Sequence, residues 1–194
     1  IGFGLGPLIG GTIAQFSQAH LVTPYIPVII AALLSIVGLS RVKVATFEKQ
    51  AFSVAPHLEL PAPKFKTLFY IVSFAAFCAF GSFSLFASLA PSFIQDVIPW
   101  HGPMVSGITI ASILLISALI QFIFKTTNMH KALNIGLISL TLSYVVLSMC
   151  MAMHWSFLFF ISVIFVGIGH GLALLGAFAL IHHMTQTENR AAVV

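Results

Sequence analysis

The stretch "GFGLGPLIGG", Gly2 to Gly11, decides how the chain is read. Five of its ten residues are glycine, one is proline and none is charged. A glycine-rich run of this kind either cradles a phosphate or packs a helix closely in lipid. A phosphate loop of the GxxxxGK[ST] type needs a basic residue, and Ile1–Gly11 has none. The dinucleotide pattern GxGxxG also fails, because Gly2-Phe3-Gly4 is not followed by glycine at position 7 and no strand precedes it. As a membrane helix the stretch makes sense. Gly2, Gly6 and Gly10 recur every fourth residue and share one narrow face, along which two backbones approach closely where lipid removes the hydrophobic drive between helices. Pro7 adds a kink, since it lacks an N–H and its ring crowds the preceding turn.

The rest of the composition agrees. Of 194 residues 59% are hydrophobic and only 6% charged, against about 25% charged in soluble domains. So few charges cannot wet the surface of a globule, and the solvent for most of the chain is lipid. Six apolar runs are readable, at Ile1–Phe16, Tyr25–Leu39, Leu68–Ala90, Met104–Phe124, Ala132–Met153 and Ser156–Ile181. They predict an all-α polytopic bundle of six transmembrane helices. The chain does not start with Met and Ile1 already lies in an apolar run, so it reads as a piece of a longer polypeptide. Cys78 and Cys150 sit deep in apolar runs and read as packed hydrophobes, not as a disulfide.

The net charge of +4 is explained by topology. Arg41, Lys43, Lys49, Lys64 and Lys66 lie between runs two and three, Lys125 and Lys131 between runs four and five, and Arg190 after run six. The breaks "SQAHLVTP", "QDVIPWHGP" and "MHWS" hold no Lys or Arg. Basic breaks alternate with neutral ones, which places the chain start, the 41–66 loop and the chain end in the cytoplasm. Nucleic acid is thereby removed as a partner. Residues 1–40 then form one pair of helices, 41–66 a proline-rich cytoplasmic linker, and 67–194 a set of four helices.

With these residues in hand, "GLGPLIGG" resembles the antiporter motif of the major facilitator superfamily, a Gly-Pro followed two residues later by Gly-Gly in the fifth helix of proton-driven exporters. The matching positions are Gly6, Pro7, Gly10 and Gly11, with Gly2 upstream. The resemblance covers the whole chain as helices five to ten of twelve. It implies a secondary transporter of the cell membrane that exports small apolar or drug-like compounds against proton entry, with no cofactor and no metal. It also implies that the proton-coupling carboxylate belongs to helices absent from this chain. The turn between helices eight and nine of the family carries a Gly-x-x-x-Asp motif with basic residues. Here Ser117 and Gln121 stand in those places, with Lys125 and Lys131 keeping the basic character.

The resemblance pairs helix five with helix eight. A glycine face also needs a partner with small residues, so Gly6, Pro7 and Gly10 are expected in contact with Ser106, Gly107 or Ala111 at the outer end of run four. His170 is the one ionisable residue near the middle of a span, and such a group is by default a functional candidate. The third run repeats phenylalanine every three residues, and Phe77, Phe80 and Ser84 are taken as cavity candidates within it. His182 and His183 do not share a helix face and read as a basic helix end. Two other readings remain: a membrane-embedded enzyme, which Ser82 within hydrogen-bond reach of His170 would support, and an inactive truncated transporter.

Overall fold

A computed structural model describes residues 2–42, 63–97, 100 and 102–184. Six α-helices follow the six apolar runs: α1 (Gly2–Phe16), α2 (Tyr25–Arg41), α3 (Lys66–Val97), α4 (Pro103–Ile123), α5 (Met129–Met153) and α6 (Ser156–Met184), with a short 3-10 turn at Pro63–Phe65 before α3. Four of them, α3 to α6, are long and apolar enough to cross a bilayer. The 17 residues of α2 are at the lower end of the range of about 17–25 for a spanning helix, and the 15 residues of α1 begin at Gly2. The largest boundary shift is at the end of α3, which continues past Ala90 to Val97 and takes Gln95 and Asp96 into the helix instead of the following loop. Most of the 41–66 linker and the chain end from residue 185 lie outside the described residues.

The helix ends follow local chemistry. Asn128 caps α5, its side-chain oxygen accepting from the backbone N–H of His130 at 3.0 Å and of Lys131 at 3.3 Å. His154 ends that helix in the left-handed region, with φ of 51°, so α6 folds straight back after Trp155. Pro103 opens α4 in its first turn, where its missing N–H costs nothing.

Helix α6 occupies the middle. Its glycines and alanines face two neighbours at once. A Cβ on Gly136 of α5 would fall 2.8 Å from the Ala173 Cα, and one on Gly169 would fall 2.7 Å from the Leu140 nitrogen. Gly176 meets the Leu133 nitrogen in the same way, at 2.6 Å. These pairs run in opposite directions along the two helices, so α5 and α6 are antiparallel. On another face Gly167 meets Ile116 and the Ile113 carbonyl, and Gly171 meets Ser117. There the numbers rise together, so α4 and α6 are parallel. Ser139 reinforces the α5–α6 seam by donating to the Phe165 carbonyl at 2.8 Å. Lipid offers no hydrophobic reward for joining two apolar helices, so this close backbone fit and these hydrogen bonds hold the bundle. Phe86, Ile113, Cys150, Phe159 and Val166 fill the space between α3, α4, α5 and α6. Val72, Ala75, Leu133, Ala177 and Leu180 fill a second cluster between α3, α5 and α6.

Helix α1 packs on α4, whereas α2 has no buried residue. Both cysteines are free thiols, and Cys150 donates to the Trp155 carbonyl at 3.3 Å.

Candidate functional site

His170 lies midway along α6 and is 5% exposed. Its Nδ1 is 2.9 Å from the Ser117 hydroxyl of α4. One turn further along α4, Gln121 donates through Nε2 to the same hydroxyl at 3.2 Å. The imidazole Nε2 is buried and has no hydrogen-bond partner. Two rings from α3 flank the imidazole: Phe80 stands edge-on, centroids 5.9 Å apart, and Phe83 is tilted at 5.7 Å. Gly171, directly after His170, leaves no room for a Cβ against the Ser117 carbonyl, at 2.7 Å, and this contact sets α4 and α6 close enough for the side chains to bond.

These groups line a cavity of about 570 Å³. Phe80, Phe83 and Ser84 contribute from α3, and Leu114, Ser117 and Gln121 from α4. Gly4 closes it from α1, packed against Leu114 and Leu115. Its walls are mostly apolar, with polar groups gathered around His170, as in pockets that hold small organic molecules.

Of the four cavity candidates named from sequence, His170, Phe80 and Ser84 line this space. Phe77 does not. It is 69% exposed and stacks on Phe74. A three-residue repeat drifts around a helix of 3.6 residues per turn, and by Phe77 it has turned to the outside. Ser117 and Gln121, which stand in the places of the family's turn motif, lie within α4, where Ser117 bonds His170 and Gln121 bonds Ser117. Their four-residue spacing was the available signal, since it sets both side chains on one helix face. Ser82, the residue on which the enzyme reading rested, donates to its own helix at the Cys78 carbonyl, 2.7 Å away, and the histidine's partner is Ser117.

The contact between α1 and α4 uses Pro7 and Gly107 as expected, but not Gly6 or Gly10. A Cβ on Gly6 or Gly10 would meet nothing within 4 Å. The seam is made by Gly4, Pro7 and Gly11. A Cβ on Gly11 would lie 2.6 Å from the Pro103 carbonyl and 3.1 Å from the Gly107 Cα, and one on Gly107 would run into the Pro7 carbonyl. The true face is one residue, about 100°, from the Gly2/Gly6/Gly10 line. On the α4 side Gly107 is at the centre, Ala111 is buried and Ser106 is half-buried. The side of Gly2 is outside the described residues. His182 and His183 stand in the last turn of α6, and no group of three metal-ligating side chains forms among the described residues.

Long apolar helices joined by glycine seams around a mainly apolar cavity define a polytopic membrane protein. The Major Facilitator Superfamily model matches residues 1–194, and the chain belongs to that superfamily of membrane transporters. No curated protein and no solved structure matches the chain.

Proposed function

We propose that the six helices correspond to the fifth to tenth of a twelve-helix exporter. On this reading the protein moves small apolar or drug-like molecules out of the cell against proton entry. The carrying observation is the cavity beside His170, because its wall takes Gly4 from the first pair of helices and all its other lining from the set of four. A space shared between the two sets changes its access when they rock against one another, which is the requirement for alternating access. The Gly11–Gly107 seam lies on the same α1–α4 interface and serves as the outer seal. The basic breaks put the start of α1 and the end of α4 in the cytoplasm, so Gly11 and Gly107 lie toward the outside. The coupling carboxylate is assigned to other helices of the same polypeptide.

The test is transport by the full-length protein in inverted membrane vesicles. Acidifying the lumen should drive accumulation of neutral or cationic fluorescent dyes, and a protonophore should abolish it. Accumulation that ignores the proton gradient would remove the coupling. Accumulation of none of a broad dye panel would remove the drug-like substrate class.

A further inference from the structure

The chain of hydrogen bonds from Gln121 to His170 has a direction. Gln121 donates to the Ser117 oxygen, so the serine proton must go elsewhere. Thr109 spends its proton on the carbonyl one turn earlier, at Val105, but Ser117 makes no such bond. Among the described residues, the one acceptor it reaches is His170 Nδ1. Nδ1 therefore accepts, and the neutral ring carries its proton on Nε2. That N–H is the buried atom without a partner. A buried donor left unsatisfied is costly and calls for a partner. The imidazole sits beside Phe80 and Phe83, and apart from His170 no acidic or basic side chain is among the residues that line the cavity. Phe80 remains 49% exposed, so its ring has room to swing away from the imidazole.

We infer that His170 Nε2–H is a hydrogen-bond donor to substrate. The class it selects is neutral, flat aromatic molecules bearing a hydrogen-bond acceptor such as a ketone. Ring faces come from Phe80 and Phe83, and Ser117 with Gln121 are positioning residues that hold the donor tautomer. This inference rests on the reading of the cavity as the substrate site and sharpens it.

The experiment is competitive photolabelling of the full-length protein in lipid nanodiscs. Benzophenone serves as the probe, because its carbonyl both accepts a hydrogen bond and reacts under light. The competitors are 9-fluorenone, fluorene and carbazole, three tricyclic molecules of similar outline. The first offers an acceptor, the second neither group and the third a donor. Label should map to α3, α4 and α6 around His170. Fluorenone should displace it at a concentration at least about threefold lower than the other two, the effect of one net hydrogen bond. The preference should fall within about 1.5-fold in Ser117→Ala and in His170→Leu, on the same estimate. Ser117→Ala keeps the histidine and is the smaller change, so it decides the matter if His170→Leu does not fold. Equal displacement by all three would overturn the inference, as would a preference for carbazole, a preference that survives both variants, or label placed away from the cavity. A fluorenone preference without gradient-driven dye accumulation would sink the export reading and leave this one standing. Dye accumulation without the preference would do the opposite.

Discussion

Gly11 and Gly107 meet backbone to backbone: a Cβ on Gly11 would lie 3.1 Å from the Gly107 Cα, and one on Gly107 would lie 3.2 Å from the Gly11 Cα. Two helices approach this closely only where neither has a side chain, so the seam between α1 and α4 depends on both residues. Gly107→Ala should cost about 1–3 kcal/mol through overpacking against the Pro7 carbonyl. Gly6→Ala and Gly10→Ala have open space and should be neutral or stabilising by up to about 1 kcal/mol. Unfolding in detergent, followed by denaturant titration, measures all three. Equal losses at Gly6 and Gly107 would show that the seam uses another face.

The α5–α6 seam gives a second contrast. A Cβ on Gly136 would lie 2.8 Å from the Ala173 Cα, whereas one on Gly81 would meet nothing. The neighbour at Gly136 is backbone and cannot rotate away. Gly136→Ala should therefore lower the unfolding midpoint clearly, by about 1–3 kcal/mol, and Gly81→Ala should leave it within about 0.5 kcal/mol.

Within α3 the two phenylalanines should separate by function. Phe80 lines the cavity and Phe77 faces outward. Phe80→Ala should reduce transport per molecule of protein at least tenfold on the export reading, or about 1.4 kcal/mol of substrate contact. Phe77→Ala should stay within about twofold, as a surface substitution does. Dye flux normalised to protein in the membrane distinguishes them.

His170→Ala in the full-length protein should impair transport more than it impairs expression, because its side chain lines the cavity and its buried Nε2 is unpartnered. Its loss also leaves Ser117 without an acceptor for its proton, a stability cost of about 1–3 kcal/mol. His170→Gln, which keeps a polar amide, should recover more of the stability than of the transport. Unchanged flux per molecule in His170→Ala would reduce the histidine to a packing residue.

Orientation is checked by single cysteines in a background lacking Cys78 and Cys150. The basic breaks predict that a cysteine at Trp100, which is 63% exposed, reacts with an impermeant thiol reagent in intact cells. One at Gln50 should react only after the membrane is opened. Label at position 50 in intact cells would invert the topology.

The sequence by itself determined the solvent, the number of helices and their places. Lipid leaves an apolar chain no way to satisfy its backbone except to coil, so long apolar runs punctuated by polar breaks became helices at those breaks. The sequence also marked His170, because one ionisable group in an apolar span stands out on composition alone. It did not determine which way each helix is turned. The glycine spacing at Gly2, Gly6 and Gly10 and the spacing at Gly4, Pro7 and Gly11 are equally good stripes. Only the position of Gly107 on the facing helix selects the second. The same holds for Ser117 and Gln121. The Ser117–His170 bond, to which Gln121 adds its own, joins residues 53 apart along the chain, and it exists because Gly167 and Gly171 let α6 sink against α4. Helix formation is decided within a few residues, whereas helix rotation and pairing are decided by the fit of two surfaces, which no single stretch of sequence contains.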